Sequence, residues 1–387
     1  MLTLVSESLG RTQALVEVAR ELSLNLSYFG NADTLVRLMG GRSRRFVLMT
    51  EDDLDPAILK VLADPSIGAE FGVVLLAEQD TLRDSGQAEL LQRLEDVTNV
   101  EWAGVAADHD SLSAAIRKSR RRMLKLGKDE LEQAIAERQL RLQYQPKVER
   151  TDSMEWQTTE AEALIRWLHP KNGLLGPLEF LPEAEAFELM GPISEFVLHE
   201  AAAQLARWRE QGLSLNSCIN LASSQLNNPE LADVYERIVT AHGLECSSFT
   251  FEVAEQDVLN SEAPHLRVLK ALREKGFRIS LDDYGVAASS LGMFEQLPVD
   301  EIKIHASALR RARENEVAQQ VLAAITGLAH NLGISVCAEG VEDEETFEFL
   351  KTIECDKMQG FLISEAVTPD IIRKVYSAVS GKVEEVA

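Results

Sequence analysis

The chain has 387 residues, 45% of them hydrophobic and 26% charged, with a formal charge of −24 at pH 7. That length allows two or three domains, or one barrel with a smaller module. The acidic excess argues against non-specific nucleic-acid binding. The absence of a run of about 18 apolar residues, or of a charged start followed by an apolar core, argues against a membrane span or signal peptide, so a cytoplasmic protein is expected.

Residues 1 to about 120 alternate apolar runs (LTLVSES, LNLSYFG, RRFVLMT, FGVVLLA, VEWAGVA) with helical stretches such as TQALVEVARELS. Five such β/α units predict a doubly wound parallel sheet of flavodoxin-like type. Their size and order resemble a response-regulator receiver domain. Its phosphorylation chemistry is not matched: Glu51, Asp52 and Asp53 come slightly late after the third run, and Ala106 and Ala107 stand where a receiver has Lys. The expectation for residues 1–120 is therefore a degenerate receiver-like domain that serves dimerisation or partner binding.

A helix from about Ser111 to Gln139 is predicted to join the halves, with residues 121–139 as the linker. Its basic stretch Arg117 to Lys128 reads as a solvated helix, with partner or anionic-lipid docking as the alternative. Cys218, Cys246, Cys337 and Cys355 show no C-x-x-C spacing. Buried reduced thiols are expected.

From Leu140 to the end, eight further apolar runs (LRLQYQP, AEALIRW, SCINLA, FTFEVA, RISLDDY, EIKIH, ISVCAEG, MQGFLIS) predict a β/α barrel. The first two are separated by only a short polar segment around Glu149 to Ser153. A parallel crossover needs a dozen or more residues, so the first pair is expected to be an antiparallel hairpin. The later runs are separated by helical segments that give right-handed β/α units.

Glu162, Asn220, Glu252, Asp282 with Asp283, Lys303, Glu339 and Gln359 end successive runs. The carboxyl ends of barrel strands form one face, so residues far apart in sequence converge there. Carboxylates and amide oxygens suit hard divalent cations. Taken one at a time, each has a plainer reading: a salt-bridged glutamate, a turn-starting Asp pair, or a lysine in an ion pair. The set on successive strand ends points to a metal or ligand site.

The same runs carry a family resemblance. Glu162-Ala163-Leu164, followed by Ile165-Arg166-Trp167, resembles the signature of the EAL-type phosphodiesterases of bacterial cyclic di-GMP signalling. It is joined in order by YQP (144–146), FLPEAE (180–185), INLAS (219–223), FEVAE (251–255), DDYG (282–285), PVDEIKI (298–304), AEGVE (338–342) and QGF (359–361). The match runs from about residue 125 to 380. It implies a barrel with an antiparallel first pair, and two Mg²⁺ or Mn²⁺ ions that assist hydrolysis of cyclic di-GMP to the linear dinucleotide, with Ca²⁺ inhibitory.

Carried over residue by residue, the resemblance assigns Glu162, Asn220, Glu252 and Asp282 to one metal and Asp282, Asp283 and Glu339 to the other. Lys303 acts in catalysis with Glu162 and Glu339. Gln145, Leu164, Arg166, Glu342 and Gln359 contact substrate or metal-bound water, and Glu255 anchors the loop after the paired aspartates. A homodimer is expected.

The pattern also departs from the family. Residues 285–291 read GVAASSL where the family has GTGYSSL, Ala254 replaces a Thr, and His305 replaces an Asp. Ala287 disfavours positive φ and Val286 removes a hydroxyl. Two readings follow: a cyclic di-GMP phosphodiesterase, attenuated by these changes, or a catalytically inactive cyclic di-GMP receptor or protein-interaction scaffold. His305 is expected to pack structurally, with a replacement metal ligand as the alternative.

Overall fold

The computed structural model describes residues 2–4, 26–28, 45–50, 62, 71–76, 99–103, 109–150, 156–259, 263–284 and 298–384. Glu51 to Asp53, Ala106, Ala107 and the departing loop 285–291 lie outside these residues. The chain divides into two compact units, residues 1–127 with 178–182, and residues 128–177 with 183–387.

In the first unit, β1 (Leu2–Leu4), β2 (Leu26–Tyr28), β3 (Arg45–Thr50), β4 (Phe71–Leu76) and β5 (Asn99–Ala103) form a parallel sheet in the order β2-β1-β3-β4-β5. β1 to β4 each lie within one of the five apolar runs, and β5 begins one residue before the fifth. The expected single helix over 111–139 is instead two, His109–Leu124 and Lys128–Ala136. Lys125 adopts φ 48° between them, and one left-handed residue is enough to end an α-helix.

In the second unit the strands are β6 (Leu140–Arg150), β7 (Trp156–His169), β8 (Gly173–Leu175), β9 (Asn216–Asn220), β10 (Phe249–Ala254), β11 (Arg278–Tyr284), β12 (Glu301–Ile304), β13 (Ser335–Ala338) and β14 (Lys357–Met358). Their order is β6-β14-β13-β12-β11-β10-β9-β7-β8, and β6 also pairs with β7, which closes an eight-stranded barrel with β8 as an extra edge. β6 is antiparallel to both β7 and β14. The expected hairpin is present, in a register that sets Gln145 opposite Glu162 and Lys147 opposite Glu160. β8 had no counterpart among the predicted runs, because three residues are too few to show alternation.

Strand alternation sorts the barrel residues. Ala161, Ala163, Ile165 and Trp167 on β7, Phe251 and Val253 on β10, and Ile302 and Ile304 on β12 are all buried on the outer face. Burial of each larger apolar side chain there stabilises the barrel by about 1.5–3 kcal/mol. The helix Met190–Glu210 covers part of this face with Ile193, Val197, Leu198, Ala201, Leu205 and Trp208, a stripe at helical spacing. Trp208 meets Tyr144 of β6 edge-on, with ring centroids 4.7 Å apart. All four cysteines are buried and free. No helix among the described residues is long and apolar enough to cross a membrane.

Candidate metal centre

The inward faces of the eight barrel strands carry two layers. At the mouth stand Gln145, Glu162, Asn220, Glu252, Asp282, Lys303, Glu339 and Gln359. Two residues deeper stand Lys147, Glu160, Cys218, Thr250, Ser280, Glu301, Cys337 and Lys357, and every one of these is at most 2% exposed. The offset is minus two on every strand except β6, where it is plus two because that strand runs the other way.

Lys303 is the centre of the mouth. It is 1% exposed, and its Nζ lies 2.5 Å from Glu339 Oε1, 2.9 Å from Glu252 Oε2, 3.3 Å from Asp282 Oδ1 and 4.0 Å from Glu162 Oε2. Burial works against its charge, but the four carboxylates hold its pKa well above the ordinary lysine value. Glu162 accepts hydrogen bonds from Asn220 Nδ2 at 2.8 Å and Gln359 Nε2 at 2.7 Å. Gln359 Nε2 also donates to Gln145 Oε1 at 2.9 Å, and Gln145 Nε2 donates to the Ser364 carbonyl at 3.0 Å.

Lys303, even with Lys147 2.6 Å beneath Glu252, does not neutralise this many carboxylates. Burial, opposed by Lys303 and reinforced by Asp282, Glu162 and Glu252, pushes Glu339 up to about 8. Asp283 is also raised, by burial and by Asp282, with His305 and Lys303 opposing. Glu162 goes the other way: burial disfavours its charge, yet Lys303 and Lys147 outweigh that and hold it below its ordinary value.

Asp282 and Asp283 reach the same region because the strand is irregular. Simple alternation would turn Asp283 away. The register of β11 against β12 shifts between Leu281 and Tyr284, Asp283 takes φ 60°, and its N–H donates to Asp282 Oδ1 at 2.9 Å. Such a bulge re-aims side chains next to functional sites. As a result, oxygens of Asp282, Asp283 and Glu339 lie within 4.8 Å of one another.

These residues fit a divalent cation. The donors are all oxygen, their charge is under-compensated, and the buried Oε1 of Gln359 has no hydrogen-bond partner among the described residues. Close backbone approach supports the rim. A Cβ on Gly340, which sits at φ 69°, would collide with Ala306, and one on Gly360 would collide with the Val341 backbone.

The other predicted residues are more dispersed. Glu255 is 1% exposed at the start of helix Glu255–Leu259, and the loop it was expected to anchor is outside the described residues. Leu164 is half-buried. Arg166 donates to Gln143 Oε1 at 2.8 Å and to the Ile165 carbonyl at 2.9 Å, and lines an open cavity of about 360 Å³ with Arg141, Gln204 and Arg207 rather than with the mouth carboxylates. Glu342 is exposed and makes no side-chain hydrogen bond or ion pair to the mouth among the described residues.

His305 caps helix Ala306–Glu314, its Nδ1 accepting from the Ser307 N–H at 3.2 Å. Its Nε2 faces Asp283 Oδ1 at 3.7 Å. His305 is thus placed as a helix cap and a neighbour of Asp283.

The deep layer was not anticipated. Lys357 Nζ lies 2.9 Å from Glu160 Oε2 and 2.9 Å from Glu301 Oε2, and Lys147 Nζ lies 2.6 Å from Glu252 Oε1 and 3.7 Å from Glu301 Oε1. Arg278 reaches Glu160 Oε1 at 3.3 Å, and Ser280 donates to Glu301 at 2.9 Å. Burial resists ionisation of Glu301, but Lys147 and Lys357 hold its pKa at about 2. The signal available in the sequence was the two-residue step inward from each mouth residue.

Comparison with known proteins agrees with this arrangement. Residues 128–366 match the family described as EAL domain. A cyclic di-GMP phosphodiesterase of Pseudomonas aeruginosa is 35% identical over 241 residues, which cover 62% of this chain and 40% of that protein. The bifunctional diguanylate cyclase/cyclic di-GMP phosphodiesterase MucR of the same organism is 36% identical over 235 residues, covering 60% of this chain and 34% of that protein. The structure of the MucR phosphodiesterase in complex with cyclic di-GMP superposes with a TM-score of 0.59 at 35% identity, covering 63% of this chain and 98% of that one. The chain thus matches well under half the length of these two full-length relatives.

Proposed function

Because the chain belongs to the EAL domain family, we propose that it hydrolyses one phosphodiester of cyclic di-GMP to give the linear dinucleotide. The observation that carries this reading is the convergence of Glu162, Glu252, Asp282 and Glu339 on the buried Lys303. The names of the two relatives and the ligand of the MucR structure support the choice of substrate.

In this reading Glu162, Asn220, Glu252 and Asp282 hold one Mg²⁺ or Mn²⁺, and Asp282, Asp283 and Glu339 hold a second. Such ions polarise a phosphoryl oxygen and lower the pKa of water. Lys303 carries a positive charge, fixed in advance by its carboxylate neighbours, to where negative charge develops on the phosphoryl group. Arg166 is assigned to a substrate phosphate, Leu164 to a guanine face, and Gln145, Gln359 and Glu342 to the remaining polar contacts. Ca²⁺ competes for the same oxygens and inhibits.

The second reading, a cyclic di-GMP receptor or scaffold without turnover, is favoured by one observation. His305 stands where the family has a carboxylate, and its ring is committed to the Ser307 N–H and Asp283. Incubation with cyclic di-GMP and Mn²⁺ or Mg²⁺, followed by chromatography of the linear product, separates the readings with Glu162→Ala as control. Product lost in the variant supports the hydrolase. Binding without product supports the receptor, and neither supports the scaffold.

Residues 1–120 are read as a degenerate receiver-like domain, with 121–139 as linker and 140–387 as the barrel. The parallel order β2-β1-β3-β4-β5 supports this, being the flavodoxin-like order. It is assigned to homodimerisation or to a protein partner, in a cytoplasmic setting. A light-scattering mass of one chain at high micromolar concentration would remove the dimer.

A further inference from the structure

Glu252 is the mouth carboxylate that both layers share. Its Oε2 accepts from Lys303 at 2.9 Å, within the mouth, and its Oε1 accepts from Lys147 at 2.6 Å, from below. Lys147 is 0% exposed and Glu252 1% exposed, so neither has water to turn to. Lys147 is also tied downward, with Glu301 Oε1 at 3.7 Å. For Lys147 to leave Glu252 it would have to give up a buried charge pair, a change that costs several kcal/mol in proteins generally.

A carboxylate can bind a cation through one oxygen or both. Mg²⁺ demands near-ideal six-fold coordination, whereas Ca²⁺ takes six to eight oxygens and readily accepts bidentate carboxylates. Glu252 has one oxygen facing the mouth and the other held underneath. Resting on the metal-site reading above, we infer that Lys147 is a positioning residue which confines Glu252 to one-oxygen ligation and so biases the centre toward small octahedral ions over Ca²⁺. Lys147 itself touches neither substrate nor cation in this scheme. It acts through the orientation of Glu252.

The test measures metal binding to the full chain without substrate, by titration calorimetry with Mg²⁺ and Ca²⁺ in turn. Lys147→Met removes the donor at similar length and frees Glu252 Oε1. The Ca²⁺-to-Mg²⁺ affinity ratio is expected to rise about tenfold, the gain of one extra oxygen contact available to the larger ion. Glu301→Gln disturbs the same deep layer but leaves Lys147 on Glu252, and is expected to keep the wild-type ratio. An unmoved ratio in Lys147→Met, or an equal shift in Glu301→Gln, would overturn the proposal and reduce Lys147 to a structural lysine.

A second measurement does not require Lys147→Met to fold. Infrared difference spectra of the Ca²⁺-loaded wild-type chain, with Glu252→Gln used to assign the band, distinguish one-oxygen from two-oxygen carboxylate ligation by the splitting of the stretching modes. One-oxygen ligation is expected, and a two-oxygen signature for Glu252 overturns the proposal. A wild-type chain that binds neither ion would instead sink the metal-site reading on which the proposal rests.

Discussion

The two inner layers of the barrel both set carboxylates against lysines on the same eight strands, yet their charges are balanced in opposite ways. In the deep layer Glu160 and Glu301 meet Lys147, Lys357 and Arg278 at 2.9–3.7 Å, and Glu301 is held at about 2. At the mouth Glu162, Glu252, Asp282 and Glu339 crowd Lys303, Glu252 alone pairing also with Lys147 below, and Glu339 is pushed up to about 8. Both deep carboxylates are paired with buried or half-buried cations without any ligand. The mouth is completed only by protons or cations. Where a buried set of charges is left under-compensated, a functional role explains the cost better than a structural one.

Making the same substitution in each layer tests this contrast. On the proposed hydrolase reading, Glu339→Gln removes a charged ligand from the second cation and is expected to lower turnover of cyclic di-GMP by about a hundred- to a thousandfold. The melting temperature of the metal-free chain should hold or rise, because a crowded carboxylate has been removed. Retained turnover would break the contrast at the mouth.

Glu301→Gln should do the reverse. Leaving Lys357 and Lys147 short of a buried partner is expected to cost about 3 kcal/mol in denaturant unfolding, with any loss of activity following the loss of folded protein. An unchanged unfolding midpoint would show that the deep layer is not a closed ion network.

The two layers should also respond to pH with opposite signs. Glu339 ionises near 8 in the folded chain against an ordinary 4.5, so the folded state holds the extra proton between those values. Metal-free stability should therefore fall as pH rises from 4.5 to 8, at no more than about 1.4 kcal/mol per pH unit for one proton. Added Mn²⁺, which takes the proton's place, should abolish the fall, as should Glu339→Gln. Glu301 is lowered from 4.5 to about 2, so its contribution is present above 4.5 and is lost as pH falls toward 2. Thermal melts across this range, with chelator and with Mn²⁺, read both limbs.

The smallest expected effect lies outside both layers and calibrates them. Asp343 caps helix Glu344–Thr352 by accepting from the Thr346 N–H at 2.8 Å. Asp343→Ala should cost about 1 kcal/mol and leave the metal response intact. If it moved metal affinity as far as Glu339→Gln does, the response would be reporting general loosening rather than the mouth.

Much of this was legible in the sequence. Alternation in AEALIRW and EIKIH separated Glu162 and Lys303 from their apolar neighbours, and the short 149–153 segment required the antiparallel β6–β7 pair found here. The break after Leu124 was less visible, because nothing in the composition of Lys125 or Leu126 forbids a helix. His305 was ambiguous in the sequence, and the structure sets its ring between Ser307 and Asp283. The deep layer was missed because Lys147, Glu160 and Lys357 read singly as surface charges, the usual place for such residues.

The sequence by itself determined which residues share an inward face, because a strand has a period of two and each run carries that period in its apolar residues. It therefore determined that Glu162, Glu252, Asp282, Lys303, Glu339 and Gln359 stand on or just after successive strands. Only the tertiary structure decided who meets whom. Closure brings β6 between β7 and β14 and sets Lys147 against Glu252, 105 residues away. The bulge after Leu281 and the left-handed φ of Asp283 turn two successive carboxylates to one side, against the alternation that a regular strand would impose. Pairing energies between charges depend on distance and burial, and neither is encoded locally in a run of six residues.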